Sequence, residues 1–300
     1  MKYLRRQVMY QTDSWRILAP SQELKLYVPE DIIFHDGFKI RKSLDLNKHI
    51  EESWKIELQK SPNIKPGKLL RLEKLKECEY GLDLWVNLTD YPEYKATCIP
   101  EHTRRFRPLK ENEKAHTFAS ATLPITLDDK VVFLQRGDNV DMFKNWLNLP
   151  SGGKWDGNPE ETIKDMLEGR NAEPIFRRCR QIVINEFNNT TPVENNYSQN
   201  MYGVAQTLEY NENPFDDHVM LFSITLLKSA KEILKEKEKL KEGKKYQDLI
   251  IVDFDEAKLA DFLNVNLERI PDSIQPVVVM AGARKFGKEW PLYIKGVRKK

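Results

Sequence analysis

The run "KVVFLQ", Lys130 to Gln135, limits the fold more than any other stretch of the chain. Val131 to Gln135 reads as a short strand, apolar without alternation, and such a strand belongs in a sheet interior covered on both faces. "HTFASATLPIT" precedes it across an Asp128-Asp129-Lys130 turn, and "MYGVAQTLEY", "HVMLFSITLL" and "DLIIVDF" repeat the texture further on. "FKNWLNLPSGG" reads as another strand running into a glycine turn. Helical stretches lie between and after these strands: "DEAKLADFLN", opened by acids, and "ERIPDSIQPVVVMAGARKFG", with a proline in its first turn and a glycine-rich end. Mixed strands with helices between them predict an α/β (α+β) sandwich.

Composition supports a globular chain. Three hundred residues, 40% of them hydrophobic, suffice for one large domain or two modest ones, and a formal net charge of +2 gives no sign of wholesale wrapping of nucleic acid. Cys78, Cys98 and Cys179 form no C-x-x-C pair, so reduced thiols are expected, not a disulfide scaffold or structural zinc. No apolar run approaches the roughly 18 residues of a membrane span. A cytoplasmic location is expected, with mitochondria as an alternative because Arg5 and Arg6 stand near the start.

A change of texture near Lys114 divides the chain into an N-terminal extension, residues 1–113, and a second domain, residues 114–300. In the extension, "LKLYVPEDIIFH" alternates loosely as a strand, and Ile50, Trp54 and Leu58 mark the apolar face of a helix. "SPNIKPGK" ends that helix, and two adjacent strands follow in "KLLRLEKLKECEY" and "LDLWVNLTDYPEY". Lys228 to Lys245 is a charge run predicting a solvated helix with i,i+4 Glu and Lys pairs; a docking face for an acidic partner is the alternative.

Chemistry-bearing residues concentrate in one place. "LPSGGKWDGNPEETIKDMLEGRNAEPIFRRCRQIVINEF" leads from a strand through Gly152 and Gly153 to a helix carrying Glu173 and Glu186. On that helix Ile175, Phe176, Cys179, Ile182, Val183 and Phe187 form an apolar stripe with Glu186 at its edge. "EHTRRFRP" mixes Arg104, Arg105 and Arg107 with Phe106 as nucleotide or RNA contacts do, and as ordinary basic loops do. "AGARKFG" could cradle a phosphate or simply cap a helix, and the five histidines are too scattered to form a recognisable set.

The order of strands, Gly-Gly turn and acid-bearing helix from Lys114 to Asn188 resembles a Nudix domain. "VNLTDYPEYKATC" and "NEFN" are similar to segments of the branch that hydrolyses UDP-sugars. The resemblance implies an α/β/α sandwich with magnesium held by acids on the box helix. Gly153 takes the opening glycine if a long insertion, "KWDGNPEETIKDMLEGRNA", is accepted. With Glu186 as the last acid of the box, Glu173 is the upstream glutamate, Gln181 stands at the arginine position, and Ile182 and Asn185 stand where acids are expected. With Arg180 as the motif arginine, Gln181, Ile184 and Asn185 fall on the ligand positions and no acid is retained.

Two functions follow, beside a third in which nucleotide or RNA is bound without catalysis through the patches near Tyr91 and Arg104. One is a non-catalytic binding or scaffold subunit of a larger protein assembly, with no cofactor and with chain ends docked on partners. The other is a magnesium-dependent hydrolase of UDP-sugars or related nucleotides, with Glu186 and Glu173 catalytic and Glu186 the metal ligand. In that case Glu160, Glu161, Asp216 or Asp217 would have to make up the missing charge. Gly152, Gly153, Tyr91 and Arg104 are the expected ligand contacts, with nucleotide, UDP-sugar or RNA as the ligand.

Overall fold

The computed structural model describes residues 9–37, 42–137, 144–149, 159–169, 171–187, 199–208, 217–235 and 246–299. They form a mixed α/β fold with two sheets. The larger sheet holds β1 (Tyr10–Gln11), β2 (Trp15–Ala19), β6 (Phe118–Ile125), β7 (Lys130–Arg136), β8 (Leu147–Asn148), β9 (Gln199–Thr207), β10 (His218–Thr225), β11 (Tyr246–Asp253) and β12 (Arg298–Lys299). Its order is β11-β7-β6-β10-β9-β2-β1-β12, with β8 paired to β7. Among the described residues of this sheet only β6 and β10 pair in parallel, from Phe118 opposite His218 to Ile125 opposite Thr225. The smaller sheet is β3 (Ile32–Asp36), β5 (Leu82–Asp90) and β4 (Lys68–Glu77), in that order.

The central strands are apolar on both sides because both sides are covered. Val131 and Phe133 of β7 join one cluster, and Val132 and Leu134 join another on the opposite face. In β10 the split is Val219 and Leu221 against Met220 and Phe222. Two helices cover the first face, Glu256–Asn266 and Gln275–Phe286, the latter contributing Val277 to Ala281 and Ala283 to the core. The other face carries α4 (Pro159–Gly169), α5 (Glu173–Glu186) and α6 (Ala230–Lys235) through Met166, Ile175, Phe176, Val183 and Ile233. Three layers result. The stretch expected as an insertion is in part the helix α4, and residues 236–245 of the charge run lie outside the described residues.

The boundary expected at residue 113 does not separate the sheets. Residues 10–19 belong to the larger one: Trp15 pairs with Thr207 and Ile17 with Ala205 across β9. The smaller sheet shares its core with the larger, since Ile32, Phe34, Leu72, Leu84 and Val86 pack in one cluster with Phe118, Met220 and Phe222. The basic C-terminus is held within the chain: β12 pairs with β1, and Arg298 meets Asp13 at 2.6 Å.

"AGARKFG" closes the helix Gln275–Phe286. A Cβ on Gly282 would stand 2.0 Å from Trp290, and Gly287 takes φ +111° at the C-cap, so one glycine admits an indole and the other ends the helix. No helix among the described residues is long and apolar enough to cross a membrane.

In the extension, α1 (Leu44–Lys60) starts at Ser43, whose Oγ accepts from the Leu46 N–H. Its deepest residues are Leu46, His49, Ser53 and Glu57. The expected apolar stripe, Ile50, Trp54 and Leu58, is only half-buried. Inward polar side chains are stable here because α2 (Tyr91–Cys98) and α3 (Pro100–Thr103) supply partners for them.

Candidate functional site

On α5, Ile175, Phe176, Cys179, Val183 and Phe187 are each at most 2% exposed, as the sheet-facing stripe requires. Burial pushes the Cys179 thiol up to about 11, which makes it inert packing. Glu173 is the first residue of α5 and Glu186 the last. At 1.5 Å per residue they are separated by about 20 Å, so one ion cannot touch both. Glu173 Oε1 accepts from Arg180 Nη2 at 2.8 Å, and the same guanidinium donates from Nη1 to Gln199 Oε1 at 3.1 Å. Glu186 is half-buried, Ile182 lies one turn before it, and Gln181 is exposed. Magnesium wants several oxygens around one point. The described residues of α5 do not fit that requirement.

The other expected carboxylates are dispersed. Glu160 and Glu161 sit in the first turn of α4, where an acid favours the helix dipole. Asp217 accepts from Thr117 Oγ1 and, at 3.3 Å, from the Tyr94 hydroxyl. Asp216, Gly152 and Gly153 lie outside the described residues.

Tyr91 and Arg104 are placed by a junction of strand and helix. Asp90 ends β5 and caps α2, its Oδ1 accepting from the Glu93 N–H at 2.9 Å. Glu93, 4% exposed, accepts from Thr89 Oγ1 at 2.8 Å and meets Lys42 at 2.8 Å. The "NLTDYPEY" segment thus does structural work that any strand-to-helix turn of this depth needs. Tyr91 packs edge-on to Trp54 at 6.2 Å, with the Lys95 ammonium 5.5 Å from its centroid. Arg104 is exposed beyond α3. Its neighbours are engaged internally: Phe106 stacks on His49 at 4.3 Å, and Arg107 holds Asp45 at 3.1 Å and Glu113 at 2.7 Å. Phe106 thus packs inside the chain, and Arg107 stands in an exposed pair with two carboxylates.

Sequence reasoning missed a buried charged centre that lies between α1, α2 and α3. Glu57, 7% exposed, accepts at Oε1 from Lys60 at 3.3 Å and lies 3.0 Å from His102 Nε2 on the same oxygen. Its Oε2 meets Lys95 at 2.7 Å. Burial would raise the Glu57 carboxyl, but hydrogen bonds from Lys95 and His102, with the Lys95 charge, outweigh it and hold the group at about 2. Glu101 is lowered by its hydrogen bond from Lys60, 2.5 Å away. Glu57, Glu101 and His102 bring ligand atoms within 4.8 Å of one another, the geometry of a cation site. Lys60 and Lys95 already fill it with positive charge, so the arrangement is an ion-pair clamp on α1. The available signal was the spacing of His49, Ser53 and Glu57, four residues apart, which is as regular as that of Ile50, Trp54 and Leu58.

No protein-family model matches the chain, and no curated protein does.

Proposed function

We propose that this is a Nudix-like protein without hydrolase activity, a binding protein built on a three-layer sandwich. The observation that carries the reading is the layout of α5. Its two candidate carboxylates stand at opposite ends, Glu173 is neutralised by Arg180, and Ile182 occupies the turn before Glu186. Lewis-acid activation of water needs negative charge gathered at one point, and removing such stabilisation from a phosphoryl-transfer site costs several kcal/mol. The test is UMP release from UDP-glucose in magnesium by the unmodified chain and by Glu186→Gln. Background rates for both are expected. Robust turnover abolished by that single substitution would overturn the reading and establish a magnesium-dependent UDP-sugar hydrolase.

A further inference from the structure

Charge is unevenly spread along the chain. Residues 284–300 contain seven lysines and arginines against the single acid Glu289, a net +6 within a chain of net +2, so the preceding 283 residues carry −4. Such asymmetry points to an anionic partner when the basic segment is displayed on a surface.

Basic chain ends are ordinarily loose. This one is fastened. Trp290, Ile294 and Val297 are 1%, 1% and 9% exposed and belong to the main core. Trp290 Nε1 donates to the Glu256 carbonyl at 2.9 Å, and the Tyr10 hydroxyl donates to the Lys288 carbonyl at 2.7 Å. Asn264 donates to the Tyr293 carbonyl at 2.9 Å and accepts from the Lys295 N–H at 2.7 Å. Between these anchors Tyr293 and Leu292 turn outward, 61% and 43% exposed. Arg284, Lys288 and Lys295 are exposed and have no carboxylate partner among the described residues. Lys285 is held by Asp129 and the Phe254 carbonyl, with its ammonium over the Phe254 ring. Arg298 and Lys299 each meet one carboxylate, on Asp13 and Glu289. Pairs of this exposed kind are weak enough to exchange for phosphate.

We propose that the fastened segment 284–299 is a contact surface for single-stranded nucleic acid, with its cations on phosphates and the Tyr293 ring stacked on one base. Holding the backbone in advance removes most of the ordering entropy that a loose tail would lose on binding. A single strand is favoured over a duplex because an exposed ring needs an unstacked base. An anionic membrane is the weaker fit, since Leu292 and Tyr293 interrupt the basic segment without forming a continuous apolar face. This inference is independent of α5, so it and the non-catalytic reading can fail separately.

The experiment is fluorescence anisotropy of the full chain with a labelled oligouridylate of about 12 nucleotides over a range of salt. Affinity should fall steeply with salt. Replacing Arg284, Lys288 and Lys295 together by Ser should reduce the log–log salt slope by about 2, at about 0.7 per lost phosphate contact on a single strand. Tyr293→Ala should weaken binding about tenfold at every salt and leave the slope unchanged. All four side chains are exposed, and thermal midpoints near that of the unmodified chain will confirm that the variants fold. No binding at low salt, or an unchanged slope in the triple variant, would overturn the proposal. Sedimentation with anionic phospholipid vesicles without oligouridylate binding would overturn it in favour of a membrane surface.

Discussion

Helices α1 and α5 both carry carboxylates and both lie against other structure, yet they use their acids in opposite ways. α5 turns a clean apolar stripe to the sheet, and its terminal acids are half-buried or paired at the rim, as with Glu173 and Arg180. α1 turns His49, Ser53 and Glu57 inward and leaves Ile50, Trp54 and Leu58 half-buried. The difference lies in what faces each helix. The sheet offers α5 mainly apolar side chains and, beneath Cys179, the neutral hydroxyls of Ser120 and Thr122, whereas α2 and α3 offer α1 the Ala96 carbonyl, Lys95 and His102. A buried carboxylate is stable where cations meet it, and the apolar stripe then yields its place.

The largest test of this contrast is Glu57→Gln. The amide keeps the shape but leaves the Lys95 ammonium, 17% exposed, without its counter-charge. Removing one partner of a buried pair typically costs about 3 kcal/mol or more. A fall in unfolding free energy of that order, read from urea titration, is expected. A loss below about 1 kcal/mol would show that the clamp is no stronger than a surface pair.

The same carboxylate predicts a pH dependence. Its folded value of about 2 lies below its ordinary 4.5, so its contribution is complete above pH 4.5 and is lost as pH falls towards 2. The lost part is on the order of 3 kcal/mol. Glu113 and Asp253 are likewise held at about 2, by hydrogen bonds from Arg107 and Lys258, and add to acid unfolding. The informative quantity is therefore the stability difference between the unmodified chain and Glu57→Gln, which should shrink through that window. A difference that stays constant from pH 6 to pH 3 would contradict the assignment.

These two helices also mark how far sequence reading reaches. The strands from Phe118 to Asp253 were legible because each buries both faces, and the apolar stripe of α5 was legible because the sheet beneath it carries no charged group in its apolar cluster. The inward face of α1 was not, since two stripes of equal spacing compete and only the position of Lys95 and His102 decides between them. The membership of β2 in the larger sheet was hidden for a related reason: its partner is β9, and the Trp15–Thr207 pairing leaves no local trace. The two glycines of "AGARKFG" left a phosphate cradle and a helix cap both open, and only the tertiary position of Trp290 over Gly282 and the C-cap at Gly287 give each its role.

A smaller effect would sharpen the α5 side of the contrast. Ile182→Glu places a second carboxylate one turn before Glu186, where i,i+4 side chains share a face. The change should cost about 1–2 kcal/mol, because Ile182 is half-buried. Excess magnesium should restore part of that loss in the variant and leave the unmodified chain unmoved, as read from thermal midpoints. No magnesium effect on the variant would mean that the C-terminal turn of α5 cannot gather oxygens even when a second acid is supplied.

The smallest expected change is Glu173→Gln. The carboxylate is 47% exposed on its side chain, and its partner Arg180 keeps a second contact with Gln199 when the charge is removed. Glu173 also stands at the N-terminus of α5, where a negative charge contributes about 0.3–1 kcal/mol at low salt. The pair itself adds about 1 kcal/mol or less. Glu173→Gln should therefore lower stability by roughly 1 kcal/mol in dilute buffer and by less in high salt, where both terms are screened. UMP release should stay at background in both forms. The stability and activity readouts separate the two roles that Glu173 could have. A rim ion pair moves the first slightly and the second not at all, whereas an essential carboxylate would abolish turnover while stability barely changed.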